Sequence, residues 1–154
     1  MSVCAQSKRC ALLVLICLLY ACESTTTRSP PTLREPGTYE VFGKTYRILP
    51  GSLGYLEIGI ASWYGKKFHG RLTANGETYD MYNLTAAHKS LPLPTAVKVT
   101  NLDNGKSVQL RVNDRGPFHD DRVIDLSYAG AIQLGFANKG TAPVVVEALD
   151  AVNY

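Results

Sequence analysis

Apolar and polar residues alternate with a period of two along much of the chain, and this pattern predicts β-strands. The clearest pair of such segments is 96–102 and 107–113, which flank Asp103-Asn104-Gly105-Lys106. Asn104-Gly105 supplies the positive φ angles of a tight turn, so the two segments predict a β-hairpin. One face of this hairpin is expected to lie in the core: Val97, Val99, Val108, Leu110 and Val112.

Other segments predict the rest of a mainly β domain. Strands are expected at 58–64, 123–126 and 142–148, and a hairpin is expected over 39–49 with its turn near Gly43. Many short strands with one or two short helices are typical of a closed barrel.

One helix is predicted from about Tyr128 to Leu134 because Ser127 is a good N-cap and Gly135 can end the helix.

The stretch from Lys66 to Thr95 is rich in Gly, Asn, Thr and Pro, and contains only a short helical candidate around 85–89. A loop of this length in a small domain is usually functional or disordered, and its aromatic and ionisable residues favour function.

The first 21 residues have the pattern of a lipoprotein signal peptide. Lys8-Arg9 precedes an apolar run over 11–19, about half of the ~20 residues needed to span a bilayer. Leu19-Tyr20-Ala21-Cys22 resembles a bacterial lipobox, in which Cys22 would be lipidated. The alternative is an ordinary signal peptide that is cleaved at a neighbouring small residue.

Cys22 and the segment that follows it predict a domain tethered to a membrane. Residues 22–38 have little to bury and are expected to form a flexible tether, which leads to a barrel domain over 39–150. Two or three acyl chains would hold Cys22 durably in a membrane. Glu23 favours the outer membrane, at its periplasmic face.

Composition excludes several classes of function. All four cysteines lie in the first 22 residues, so the domain has no disulfide framework. Two of the 16 basic residues, Lys8 and Arg9, lie in the predicted leader, which leaves 14 against 13 acidic residues. No basic stripe remains, so no nucleic acid partner is expected. The ionisable residues have no metal-ligand spacing, and neither a metal site nor a cofactor is predicted.

Asp114 is the first candidate for chemistry. It ends a predicted strand at the point where the backbone turns through Arg115-Gly116-Pro117. A carboxyl group held there against apolar walls can keep its proton near neutral pH and donate it to a leaving oxygen, although Arg115 opposes this by favouring the ionised form. The alternative is that Asp114 only caps the turn.

The long loop offers the second set of candidates. The loop contains Glu77, Asp80 and His88 within about a dozen residues. Most enzymes that cleave glycosidic bonds use a pair of carboxyl groups. The alternative is a solvated loop without a chemical role. Trp63, Tyr64 and Tyr79 are either a platform on which sugar rings stack or part of the core.

Several motifs together resemble the RlpA (rare lipoprotein A) family, from about Tyr39 to Glu147. They are Gly59-Ile60-Ala61-Ser62-Trp63-Tyr64-Gly65, Thr73-Ala74-Asn75-Gly76-Glu77, Leu84-Thr85-Ala86-Ala87-His88-Lys89-Ser90-Leu91-Pro92, Val99-Thr100-Asn101-Leu102 and Val112-Asn113-Asp114-Arg115-Gly116-Pro117-Phe118. The resemblance implies a six-stranded double-psi β-barrel, a fold shared with expansins. It also implies a lytic transglycosylase that cleaves between N-acetylmuramic acid and N-acetylglucosamine of peptide-free peptidoglycan strands, leaving 1,6-anhydro ends, in daughter-cell separation.

The resemblance also implies roles for named residues. Asp114 would be the general acid and then the base, Glu77 the second carboxylate, and His88 a group that orients a partner or the substrate. Substrate contacts are expected from the surrounding side chains, namely Trp63, Tyr64, Asn75, Tyr79 and Arg115.

Two alternatives to the lytic enzyme remain open from the sequence. One is an expansin-like module that binds peptidoglycan without cutting it, and the other is ordinary hydrolysis by water. Many family members carry a C-terminal SPOR domain that binds denuded glycan, whereas the printed sequence stops at Tyr154. Septal recruitment by a SPOR domain is therefore left open, and septal-ring proteins are candidate partners.

Overall fold

The computed structural model describes residues 32–35 and 37–149. The predicted signal peptide, the predicted lipidation at Cys22 and most of the predicted tether lie outside these residues. The described elements, in chain order, are β1 Thr32–Glu35, β2 Thr38–Val41, β3 Lys44–Arg47, β4 Leu56–Tyr64, β5 Thr85–His88, β6 Thr95–Asn101, β7 Ser107–Asp114, β8 Arg122–Ser127, α1 Tyr128–Leu134 and β9 Thr141–Ala148.

Six strands form a closed barrel in the order β4-β8-β5-β7-β6-β9. β4 pairs with β8, and β5 with β7, in parallel, whereas the other neighbours are antiparallel. The predicted mainly β barrel is therefore confirmed. The five residues predicted for the core from the 96–113 hairpin are all buried, with between 0% and 6% of their surface exposed.

The turn of that hairpin differs from the prediction in one respect. Gly105 has a positive φ of 71°, but Asn104 does not, so the prediction of two positive φ angles is wrong. The Gly105 amide donates to the Asn101 carbonyl at 2.8 Å, and the Asn104 side chain accepts from the Lys106 amide at 2.9 Å. One glycine in the left-handed region is enough because the connection is longer than two residues.

The helical candidate at 85–89 is wrong, because Thr85–His88 is strand β5. Two alanines in sequence suit a helix by propensity, but all four residues of β5 are buried between β7 and β8. A strand covered on both faces shows no alternation of apolar and polar residues. Tertiary pairing therefore decides the conformation of this segment.

Helix α1 is confirmed with its predicted caps. The Ser127 hydroxyl accepts from the Gly130 amide at 3.1 Å, and Gly135 ends the helix with a φ of 79°. No helix within residues 32–35 and 37–149 is long and apolar enough to cross a membrane.

The N-terminal hairpin is confirmed as β2 and β3, joined by a turn at Phe42-Gly43. Strand β1, which lies within the segment predicted as a tether, pairs with β2 and makes a three-stranded sheet. Tyr39 attaches this sheet to the barrel. Only 1% of its surface is exposed, and its hydroxyl donates to the Lys89 carbonyl at 2.7 Å.

Candidate active site

Asp114 lies at the end of β7, where the pairing with β5 contains a bulge. Ala86 pairs with Val112 and Ala87 with Asp114, so Asn113 is an extra residue in β7. Asp114 Oδ1 accepts hydrogen bonds from the backbone amides of Ala74 and Arg115, both at 2.8 Å. Among the described residues, none donates a hydrogen bond to its other oxygen, Oδ2. The carboxyl group is thus held on one side and open on the other.

The surroundings of Asp114 favour its protonated form. Burial raises the pKa of the Asp114 carboxyl, while the two amides and the positive charge of Arg115 act in the opposite direction. Desolvation disfavours the charged form, and here it is the larger effect. Asp114 therefore keeps its proton to a higher pH than a free aspartate, which is the direction that a general acid requires.

Glu77 is held in a different way. Arg111 binds both of its oxygens in a bidentate pair, and Asn113 and Asn75 each donate to one of them at 2.8 Å and 2.9 Å. These donors lower the pKa of Glu77 to about 2, with Arg111 as the main cause. Four hydrogen bonds occupy the acceptor positions of the carboxylate. Glu77 is ionised and already engaged, so in this arrangement it cannot act as a proton donor.

The geometry gives Glu77 a connection to Asp114 through the loop 73–77. Glu77 joins this loop to β7, where the Asn75 amide also donates to the Asn113 carbonyl at 3.3 Å. The same loop carries the Ala74 amide that binds Asp114. Loss of the Glu77 contacts would therefore loosen one of the two donors that hold the candidate acid.

His88 is 1% exposed and lies on the core-facing side of β5. Its Nδ1 accepts from the amides of Ser90 and Leu91, at 3.2 Å and 3.0 Å. The proton of the neutral ring therefore lies on Nε2, which is 2.8 Å from the Tyr55 hydroxyl, and that hydroxyl donates to Glu57. His88 organises the backbone beside Asp114 rather than facing the same open space.

The three predicted aromatic residues do not form one platform. Tyr64 and Tyr79 stack with ring centroids 4.2 Å apart, and the Tyr79 hydroxyl donates to the Tyr64 carbonyl at 2.5 Å. Tyr79 is 2% exposed, so its ring packs against the side of Tyr64 that faces the protein. Trp63 points to the opposite face of β4, where its indole N–H donates to the Ala137 carbonyl at 3.1 Å and its ring packs against the core.

The two remaining predicted contacts, Asn75 and Arg115, are engaged within the protein. Asn75 bonds Glu77 through its side-chain amide and accepts from the Thr73 hydroxyl at 2.6 Å. The Arg115 guanidinium donates to the carbonyls of His88 and Leu91, at 3.2 Å and 2.6 Å. Both side chains shape the site, and their contact with substrate stays a prediction.

Comparison with known proteins decides the family. A family model described as "Lytic transglycolase" matches residues 57–146. Over 116 residues the chain is 64% identical to the endolytic peptidoglycan transglycosylase RlpA of Pseudomonas aeruginosa (strain UCBPP-PA14). This alignment covers 75% of this chain and 34% of that relative. This chain belongs to the RlpA family.

Two other RlpA relatives have the same name. That of Vibrio cholerae is 63% identical over 72% of this chain and 42% of its own length, and that of Neisseria meningitidis serogroup A is 56% identical over 71% and 46%. The chain thus spans less than half of each of these relatives.

Solved structures support the fold of the RlpA barrel. The Streptomyces papain inhibitor superposes with a TM-score of 0.52 at 21% identity, covering 64% of this chain and 98% of that one. An expansin from Clavibacter michiganensis gives 0.51 at 17% identity, covering 65% and 53%. At these identities the likeness concerns the fold alone.

Sequence reasoning missed several residues of the RlpA site. Arg111 and Asn113 hold Glu77, and Tyr55 holds His88, but none of these was a candidate. Asp125 pairs with Ala87, the residue that also pairs with Asp114, but it was read only as part of the strand Val123-Ile124-Asp125-Leu126. An acidic residue in an otherwise apolar strand was the available signal. No group of three or more His, Cys, Asp or Glu residues suited to a metal ion occurs in the described part of the chain.

Proposed function

We propose that this RlpA-family barrel is an endolytic peptidoglycan transglycosylase. It would cleave the bond from N-acetylmuramic acid to N-acetylglucosamine in glycan strands, with a preference for strands without stem peptides. The observation that carries the proposal is the Asp114 carboxyl group: two backbone amides hold one of its oxygens, the other oxygen has no donor within the described residues, and burial raises its pKa. The relatives named above as endolytic peptidoglycan transglycosylases support this reaction.

The reaction follows from the chemistry of Asp114. The protonated carboxyl donates to the bridging glycosidic oxygen while the bond from that oxygen to muramoyl C1 breaks, and the N-acetylglucosamine side leaves as an alcohol. The muramoyl C6 hydroxyl attacks C1, and its proton passes to the Asp114 carboxylate. The acid is regenerated and the product is a 1,6-anhydro end. The nucleophile is part of the substrate, so few protein groups are needed.

Glu77 and His88 support this reaction as positioning residues in our proposal. Glu77 fixes the loop that presents the Ala74 amide to Asp114. His88 fixes the turn 88–91, whose carbonyls hold the Arg115 side chain next to Asp114. Substitution of either residue should lower kcat even though neither transfers a proton.

The test is product analysis on defined glycan. The chain without residues 1–21 is incubated with peptide-free glycan strands, and the products are identified by mass spectrometry. We expect 1,6-anhydro-muramoyl ends from the wild type and a loss of about 10²–10⁴-fold in the Asp114→Asn variant. Reducing ends would indicate hydrolysis by water. Binding to the glycan without new ends would instead support an expansin-like module.

We also propose that the protein acts from a lipid anchor at Cys22 on the periplasmic face of the outer membrane, near septal-ring proteins. The support is the lipobox-like Leu19-Tyr20-Ala21-Cys22 and the residue Glu23 after it. Radiolabelled palmitate should be incorporated into the wild type and not into Cys22→Ser, and the wild type should fractionate with outer membranes. Equal labelling of both proteins would contradict the anchor.

A further inference from the structure

The turn between β2 and β3 carries an aromatic residue in an unfavourable backbone conformation. Val41 pairs with Lys44, so the turn consists of Phe42 and Gly43, whose φ angles are both positive, at 52° and 74°. Two positive φ angles are those of a type I′ turn, in which Asn-Gly is a preferred pair. Among the described residues, Phe42 is the only non-glycine residue with a positive φ. A bulky side chain is disfavoured there because its Cβ lies too close to the following carbonyl oxygen.

Burial does not compensate for this conformation. The surface of Phe42 is 74% exposed, and its ring meets the ring of Phe118 edge-on, with the centroids 6.4 Å apart. An apolar side chain stabilises a fold in proportion to the area that it removes from water, and Phe42 leaves most of its area in water. Strained residues that packing does not explain are concentrated at functional sites.

Phe118 connects this turn to the surface beside the candidate acid. Ala87 of β5 pairs with Asp114, so its methyl group points to the same side of the barrel as the Asp114 carboxyl group. Gly116 lies over Ala87. A side chain added at Gly116 would begin 3.7 Å from the Ala87 methyl group and 3.9 Å from the Phe118 ring. The Phe118 ring therefore borders the floor of small residues next to Asp114, and Phe42 lies beyond Phe118 on the same line.

The hairpin holds Phe42 in a fixed position relative to this floor. Tyr46 of β3 packs against the Phe118 ring with centroids 5.5 Å apart, and Tyr39 of β2 packs against Tyr46 at 5.2 Å. An ion pair between Lys44 and Asp120 joins the same two segments, but it is exposed and adds little stability. Because aromatic packing fixes the hairpin, a ligand that contacts Phe42 would meet a preorganised ring.

The chemistry of this surface favours a neutral sugar. Flat aromatic rings complement the apolar faces of pyranose rings. Two cations that contact the aromatic cluster, Lys44 and Arg115, are engaged with Asp120 and with backbone carbonyls, so they do not select an acidic ligand. A specific protein interface buries about 1,200–2,000 Å², whereas one aromatic side chain offers about 150–250 Å². A single sugar ring matches the size of this surface better than a protein does.

We propose that Phe42, with Phe118 beside it, forms a distal glycan subsite, which stacks on a sugar farther along the strand that Asp114 cleaves. The identity of the ligand rests on the proposed function. The subsite increases affinity for strands long enough to reach from Asp114 to the hairpin. It does not contact the bond that breaks, so it leaves the chemical step at Asp114 unchanged.

The experiment measures the Kd for peptide-free glycan over a series of strand lengths. The parent is the Asp114→Asn variant of the chain without residues 1–21, in which the strands stay intact. Phe42→Asn, added to this parent, replaces the ring by a residue that the turn accepts. We expect its Kd to rise by about fivefold on long strands, the value of one aromatic stack, and to equal that of the parent on the shortest oligosaccharide that binds.

Thermal unfolding distinguishes a lost contact from a damaged fold. Asn is favoured over Phe at a positive φ, so Phe42→Asn should unfold at the same temperature as the parent or at a higher one. Phe42→Trp keeps an aromatic ring in the turn and should retain the Kd of the parent within about twofold.

Leu102→Asn is the matched control, because it also replaces an exposed apolar residue. Leu102 is 52% exposed and lies in the turn before β7, at the opposite end of that strand from Asp114. Its Kd should stay within about twofold of the parent at every strand length.

The outcomes separate the subsite from the proposed reaction. Equal affinities of Phe42→Asn and its parent for long strands would overturn the subsite and leave the transglycosylase proposal intact. A lower unfolding temperature together with weaker binding at every length would also overturn it, because Phe42 would then only support the fold. If the wild type makes no new ends but Phe42→Asn weakens binding to long strands, the subsite stands and the reaction falls. A wild type that binds no glycan would overturn both.

Discussion

Tyr39 connects the N-terminal sheet to the barrel, and replacing it should measure how much this connection stabilises the protein. A buried tyrosine removes about 150–250 Å² from water, which at ~25 cal/mol per Å² corresponds to about 4–6 kcal/mol. The ring also stacks on Tyr46 at 5.2 Å and lies 5.4 Å from the Arg115 guanidinium. Because a surface sheet can relax after truncation, we expect Tyr39→Ala to lower the free energy of unfolding by about 3–4 kcal/mol.

Two further variants separate the contributions. Tyr39→Phe removes only the hydroxyl that donates to the Lys89 carbonyl, so it should cost about 1 kcal/mol. Thr45→Ala changes an exposed residue of the same sheet and should have an effect within about 0.5 kcal/mol. Urea unfolding followed by the fluorescence of the single tryptophan, Trp63, gives all three values. A loss below about 1 kcal/mol in Tyr39→Ala would refute the view that the sheet and barrel unfold as one unit.

The other predictions concern titration and capping. Burial raises the pKa of Asp114 above its unfolded value of 3.8. Ionisation of Asp114 therefore lowers the free energy of unfolding as pH rises above about 4. At pH 7 Asp114→Asn should be more stable than the wild type. The reverse sign in urea unfolding at pH 7 would contradict this. The pKa of Glu77 is lowered from 4.5 to about 2, so its stabilisation is complete above pH 4.5 and is lost as pH falls through 2. The free energies of unfolding of the wild type and Glu77→Gln should therefore converge as pH falls from 4.5 to 2. A difference that stays constant over this pH range would contradict the prediction. Ser127→Ala removes the N-cap of α1 and should cost about 0.5–2 kcal/mol by urea unfolding, whereas no change would mean that the cap is dispensable.

The parts of the fold that were predictable from the sequence are those set by local chemistry. The hairpin over 96–113 combines period-two alternation with a turn at Gly105, and α1 has a cap at each end. Strand β5 could not be predicted in this way, because Ala86 and Ala87 are both buried and their conformation depends on pairing with β7 and β8.

The candidate site shows the same division. Asp114 was identifiable because a strand ends at it, next to a turn sequence. The engaged state of Glu77 was not, since its main partner, Arg111, is 34 residues away. Asp125 and Asp114 pair with the same residue, Ala87, only because the barrel order places β5 between β7 and β8.

The bulge at Asn113 determines the direction in which the Asp114 side chain points. In a regular strand, inward and outward positions alternate strictly, so Val112 pointing in would make Asp114 point in as well. The additional residue inverts that parity and turns the carboxyl outward. If Asn113 paired regularly with Ala87, the same sequence would place Asp114 opposite His88 and aim it into the hydrophobic interior. The direction of the acid thus depends on the register between β5 and β7 as much as on the identity of the residue.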